Sequence, residues 1–144
     1  MKNSTPMPLS RMEIKIASET LELCQVEHFL KEVFIKNDVK PDIFFKALLC
    51  VNEAVINSII HGNKFNPLKQ VRIQSYSCKR FLYFRISDQG DGFDYENLPD
   101  PTALENLKKE TGRGIYIIKK ISDRTDFRQK GSIIEFKIEL GGDD

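Results

Sequence analysis

No long basic run occurs in this sequence, and its 22 Lys and Arg are nearly cancelled by 21 Asp and Glu. A nucleic-acid surface, which needs clustered positive charge, is therefore not expected. Cysteine is scarce. Cys24, Cys50 and Cys78 are odd in number, widely spaced and without a CxxC pair. That pattern argues against a disulfide framework or a zinc site and for free thiols in a reducing cytoplasm. The N-terminal segment is polar and Pro-containing, with no apolar core of a signal peptide, so residues 1–10 read as a flexible tail. No window approaches the apolar length of a membrane span, and no repeat or low-complexity tract stands out. What is present is 144 residues, 40% hydrophobic and 30% charged. That is enough for one soluble domain with its own core, expected over 11–144.

Alternation and helical spacing divide the chain. Met12, Ile14 and Ile16 alternate with Glu13 and Lys15, as in a half-buried strand. Helical spacing over 18–36 predicts a helix with Leu21, Val26, Phe29, Leu30 and Val33 as its core stripe. Pro41 suits the first turn of a second helix, running to about His61 with Gly62 as its stop. Two strands follow, 71–78 and 81–87, joined at Lys79-Arg80. The polar stretch from Gly90 to Thr111 is long for a loop in a compact domain, which marks it as functional or mobile. Gly112-Arg-Gly114 opens an apolar helix over 115–122, and strands at about 124–129 and 132–140 finish the chain. Helices with an antiparallel-leaning sheet predict an α+β, two-layer sandwich.

The second helix carries a polar stripe. Glu53, Asn57 and His61 recur every four residues and share one face, roughly opposite Phe44, Leu48, Val51, Val55 and Ile59. Spacing alone favours a solvated face. Against that, Asn is a poor residue inside a helix because its side chain competes for backbone groups. Glu53 is suited to act as a general base, and Asn57 to offer its amide oxygen to a hard cation such as Mg²⁺. His61 is accounted for by its place near the negative end of the helix dipole.

The stretch "ISDQGDGF" asks for more than a bend. Leu82, Phe84, Ile86 and Asp88 share one strand face, so Asp88 continues an apolar row inward. A carboxylate there needs a partner, and a ligand's amino group would serve. Gly90 and Gly92 would let backbone approach a flat ring or take positive φ. An ordinary Asp-Gly hairpin turn is a rival, although alternation does not resume after Phe93. A calcium loop would need oxygen ligands where the glycines stand, and a Rossmann fingerprint would need a third glycine. Ser132 begins a second inward row, with Ile134, Phe136 and Ile138; it reads equally as a turn residue after Gly131. Gly112-Arg113-Gly114 at a helix start is either a phosphate-binding N-terminus or a Gly-flanked loop end.

In this order and spacing, Glu53-Ala-Val-Ile-Asn57, Asp88-Gln-Gly-Asp-Gly92 and Gly112-Arg-Gly114 resemble the N box and two glycine boxes of the GHKL-type (Bergerat) ATP-binding fold. Gyrase, Hsp90, histidine kinases and MutL share that fold. The combination of "NEAVINSIIHGN", "DQGDGFD", "LPDPTALENL" and "ETGRGIYII" is most similar to the small anti-sigma-factor serine kinases, over nearly all of residues 11–140. On this chain length, no gyrase-like partner domain and no histidine-bearing dimerisation helix is expected.

The resemblance implies a mixed, mostly antiparallel sheet covered on one face by helices, and ATP with Mg²⁺ as cofactors. It implies that Asp88 receives the adenine amino group, Asn57 binds Mg²⁺ and Glu53 activates the attacking hydroxyl. Gly90 and Gly92 would shape the adenine pocket. Gly112, Arg113 and Gly114 would meet the phosphates at the edge of a mobile lid, about 93–111. Ser132 stands where relatives commonly carry a Thr near the adenine. The implied activity is phosphorylation of a serine or threonine on an anti-anti-sigma factor of the STAS fold, with partner switching that also involves a sigma factor. Homodimerisation through a sheet edge or the first helix fits the same resemblance. A non-catalytic, ATP-dependent binding module is the alternative, and an ATP hydrolase without a protein acceptor is a third.

Overall fold

The computed structural model describes residues 10–78, 80–91 and 113–140. The expected alternation produces five strands: β1 (Ser10–Ala17), β2 (Gln70–Ser77), β3 (Phe81–Ser87), β4 (Arg124–Arg128) and β5 (Ile133–Glu139). They form one five-stranded sheet in the order β1-β2-β3-β5-β4. Every pairing among the described strands is antiparallel, so the sheet is simpler than the mixed one expected. Register aligns the inward residues into rows. Ile14 pairs with Ile73, Ile73 with Ile86, Ile86 with Ile134, and Ile134 with Phe127. Such cross-strand apolar rows fix the register, because a one-residue slip would turn all of them to solvent.

Three helices pack on that inner face: α1 (Leu23–Asn37), α2 (Phe44–Asn57) and α3 (Arg113–Ile121). Val26, Phe29, Leu30, Val33 and Phe34 make the buried stripe of α1. Leu21 does not join it. Residues Thr20–Glu22 form a separate 3₁₀ turn, whose tighter winding breaks phase with the helix and leaves Leu21 85% exposed. At its other end α1 closes on Asp38, in the left-handed region at φ 53°, whose N–H reaches the carbonyls of Phe34 and Ile35. Phe44 then brings α2 onto α1 by an edge contact with Phe34, 5.2 Å between ring centroids.

The centre of the core belongs to α2, with Ala47, Cys50, Val51, Ala54 and Val55 all buried. The expectation that no segment reaches the apolar length of a membrane span is corrected here. The helical stretch Pro41–Gly62, 22 residues, is long and apolar enough by length and composition. Its apolar richness has a structural cause, since α2 lies against the sheet, α1 and α3, and so buries residues on several sides.

Candidate functional site

The site begins where α2 loosens. Residues Ser58–Gly62 continue the helix as a π-type turn, which widens it and carries Ser58, Ile59 and Gly62 into the interior. Gly62 does end the helix, but not through the left-handed backbone typical of a glycine stop; the positive φ values fall at Lys64 (53°) and Phe65 (59°). Space is what Gly62 supplies. A Cβ there would lie 2.1 Å from Asp88 Oδ2 and 2.3 Å from its Cγ.

Asp88 follows β3 in the inward row, as the alternation predicts. Its N–H donates to the Ser132 carbonyl (2.9 Å), and its Oδ1 accepts from the Gly90 N–H (2.8 Å). Oδ2 is sealed from solvent and has no partner. Burial raises the Asp88 pKa; the Gly90 N–H, the charge of Lys69 and the Ser58 hydroxyl oppose that rise. Ser58 is close enough to act on the carboxylate, yet the geometry does not complete a hydrogen bond, and Ser58 Oγ is itself unpartnered. Gly90 has its own steric reason. A Cβ there would lie 1.9 Å from the Gly62 carbonyl oxygen, so the two backbones cross in direct contact.

Asn63, which closes the motif "NEAVINSIIHGN" but has no role assigned from the sequence, ties these pieces together. Its side chain is buried and donates from Nδ2 to Ser18 Oγ (2.6 Å) and to the Gln70 carbonyl (3.0 Å). Its Oδ1 accepts from the Gln89 N–H (2.7 Å), while Gln89 Oε1 accepts from the Gln70 N–H (2.7 Å). The segment around Asp88 is thereby fixed to the ends of β1 and β2. Beside it opens a polar recess of about 280 Å³, bordered by Gly62 and Gly90 with Lys64, Lys69 and Asp91.

On the far side of the π turn stand Glu53 and Asn57. A fully solvated stripe is not what the structure shows, because Asn57 is only 6% exposed. The start of α3 lies against it: a Cβ on Gly114 would be 3.0 Å from Asn57 Nδ2 and 3.2 Å from Glu53 Oε2. Asn57 Nδ2 donates back to the Glu53 carbonyl (3.2 Å), which leaves the amide oxygen as the atom to offer a cation. Cys50, one turn earlier, is no nucleophile. Burial pushes its thiol up to about 12, against the charge of Lys46 and with that of Glu53.

Of the remaining predicted residues, Ser132 is buried behind the 3₁₀ turn Gln129–Gly131, and its Oγ donates to the Gln129 carbonyl (2.9 Å). The turn reading of Ser132 therefore holds, with its carbonyl also holding Asp88. His61 is half-buried within the π turn. Arg113 is the first residue of α3, while Gly92, Gly112 and the span 93–111 lie outside the described residues.

The residues fit an adenine nucleotide with Mg²⁺. A carboxylate with one sealed oxygen, beside two glycine backbones, suits a flat ring that carries an amine. No cluster of three or more His, Cys, Asp or Glu that could hold a metal occurs among the described residues. One amide oxygen near one carboxylate nevertheless suits Mg²⁺, which takes few protein ligands and completes its shell with phosphate and water.

Comparison with known proteins bears on the family and the fold. The family model described as the histidine kinase-like ATPase domain matches residues 16–138. The chain is 27% identical over 131 residues to a protein named serine-protein kinase RsbW from Staphylococcus aureus strain MSSA476, covering 85% of this chain and 81% of that one. It is 28% identical over the same length to the protein of that name from strain JH9, with the same coverage. Among solved structures, the RsbU and RsbW domains of Rv1364c from Mycobacterium tuberculosis superpose with a TM-score of 0.60 at 9% identity. That likeness covers 92% of this chain and 32% of the other, and it concerns the fold.

Proposed function

The chain belongs to the histidine kinase-like ATPase domain family, and within it we propose an ATP-dependent serine/threonine protein kinase of the anti-sigma-factor type. The observation that carries the reading is the meeting of three segments. Glu53 and Asn57 on α2 lie under Gly114 at the start of α3, and the Asp88 carboxylate lies one helical turn beyond, over Gly62. The naming of the Staphylococcus aureus relatives as serine-protein kinases supports the same class.

Each residue then has a task. Asp88 accepts the amino group of adenine; Gly62, lacking a side chain, makes room for that carboxylate, and Gly90, lying directly on the Gly62 backbone, shapes the pocket wall. Asn57 offers its amide oxygen to Mg²⁺. Gly114, with Gly112 and Arg113, brings the N–H groups of a helix start and a guanidinium to the phosphates. Glu53 takes the proton from the attacking hydroxyl. Mg-ATP supplies the phosphoryl group and the neutralising charge, so the protein's own contribution is positioning and proton removal. Ser132 anchors Asp88 through its backbone carbonyl, with Gly92 beside the ring and 93–111 as the covering segment. The acceptor is a serine or threonine on an anti-anti-sigma factor of the STAS fold. The setting is a cytoplasmic partner-switching circuit that includes a sigma factor, with the kinase as a homodimer.

The test is Glu53→Ala, with radiolabelled ATP and a STAS-domain acceptor. Transfer is expected to be lost while the Kd for Mg-ATP stays within about threefold, since a general base contributes to the chemical step and not to binding. Undiminished labelling by the variant would refute the base assignment. A wild type that binds Mg-ATP but labels no STAS acceptor would favour the non-catalytic binding module.

A further inference from the structure

Two buried oxygens at the site make no hydrogen bond, and they belong to neighbouring side chains: Ser58 Oγ and Asp88 Oδ2. Ser58 is 1% exposed, and it stands on the π turn directly after Asn57. Buried polar atoms are nearly always paired, so two unmade bonds side by side need a reason. Gly62 is part of it. Only a glycine there admits the Asp88 carboxylate, whose Oδ2 would clash at 2.1 Å with any Cβ. The carboxylate lies against Gly62 with the Ser58 side chain near enough to act on it, while its other oxygen, Oδ1, is engaged by the Gly90 N–H (2.8 Å). A serine hydroxyl rotates freely about its C–O bond, and a small change in its rotamer brings it onto a nearby acceptor.

We propose that Ser58 is a positioning residue for ligand recognition: its hydroxyl donates to Asp88 Oδ2 when ligand is bound, holding the carboxylate with Oδ1 toward the amino group of a 6-aminopurine. This rests on the nucleotide reading of the site and goes beyond it by assigning the second carboxylate oxygen. The consequence is selectivity. A carboxylate held as a pure acceptor rewards an amine and repels the carbonyl of a 6-oxopurine. Without the Ser58 hydroxyl, Asp88 keeps only the Gly90 N–H and the charge of Lys69 against the effect of burial. The carboxylate of a Ser58→Ala protein is then protonated at a higher pH than that of the wild type, and once protonated it carries a donor and accepts only weakly.

The experiment measures Kd by calorimetry for Mg-ATP and for Mg-purine riboside triphosphate, which lacks the amine, from neutral to mildly acid pH. Wild type, Ser58→Ala and Asp88→Asn are compared. Ser58→Ala should bind ATP roughly tenfold more weakly at neutral pH, the scale of a hydrogen bond to a charged group, and the deamino compound within about twofold of wild type. Its preference for ATP should also fade at a higher pH than in the wild type. The apo melting temperature should fall only slightly, because the hydroxyl removed completes no hydrogen bond there and only helps to hold the Asp88 pKa down. Equal weakening of both nucleotides at every pH, or no change in either, would overturn the assignment. Wild type that binds the deamino compound but shows no preference for ATP overturns it too, leaving nucleotide binding intact. Wild type that binds neither compound removes the nucleotide reading together with this one.

Discussion

The open face of the sheet and the end of β3 use polar residues in opposite ways. On the open face, charges are satisfied by one another. Arg72 pairs with Glu13 (3.4 Å), which also accepts from Gln74 Nε2 (3.1 Å). Glu135 receives Arg85 (2.6 Å) and Arg128 together, and Lys137 sits 4.1 Å from the centroid of the Phe81 ring. At the site the pattern reverses. Three buried side-chain oxygens among the described residues lack a partner, and two of them, on Ser58 and Asp88, are neighbours there. Polar groups that serve the fold are paired within it. The unpaired oxygens on Ser58 and Asp88 are what binding of the proposed ligand would have to satisfy.

The contrast can be broken from either side. The largest effect is expected at Glu53, where replacement by Ala should lower the rate of phosphoryl transfer by about 10²–10⁴-fold, the usual worth of a general base. Single-turnover labelling of a STAS acceptor checks it. Next in size is Gly90→Ala. Its Cβ would meet the Gly62 carbonyl at 1.9 Å, a backbone atom that cannot rotate aside. Such overpacking costs about 1–3 kcal/mol, or a fall of roughly 3–10 °C in Tm, and should weaken nucleotide binding as well.

The smallest effect belongs to the open face. Glu135→Gln should cost about 1 kcal/mol at neutral pH, because Glu135 is partly buried but its two arginine partners reach into solvent, which screens the pairs. Burial pushes the Glu135 carboxyl up, but hydrogen bonds and charge from Arg128 and Arg85 outweigh it and hold the pKa below the ordinary 4.5. The stabilisation is therefore complete above that ordinary value and lost as pH falls through the lower, folded one. Denaturation curves of wild type and variant should converge in acid. A difference that persists there would show that Glu135 acts through packing and not through its charge.

Most of the architecture was legible because alternation and register carry the same information. The inward rows read along 12–16, 82–88 and 132–138 are the rows that pair in the sheet. Asp88 was found by extending one of them by a single position. Leu21 was misplaced because helical spacing does not reveal where a 3₁₀ turn ends and an α-helix begins. Asn63 closes the motif "NEAVINSIIHGN", yet its role was not legible, for another reason. Its partners, Ser18, Gln70 and Gln89, are distant or unremarkable in sequence, and a buried Asn after a glycine looks like any turn residue. Gly62 was seen as a helix stop, whereas the space it leaves for Asp88 depends on a tertiary contact 26 positions away. The polar stripe of α2 could not be resolved from spacing, because the packing of Gly114 on Glu53 and Asn57 decides whether that face meets water.

The central claim is that Asp88 was left incompletely bonded in order to bind a nucleotide, and one thermal-shift comparison tests it. Wild type and Asp88→Asn are melted with and without Mg-ATP. A ligand at a hundred times its Kd should stabilise the wild type by about 2.7 kcal/mol, several degrees in Tm. In Asp88→Asn that shift should vanish, while the apo protein melts no lower than wild type, having lost a carboxylate that burial disfavours. An equal nucleotide-induced shift in both proteins, or none in either at millimolar Mg-ATP, would contradict the account.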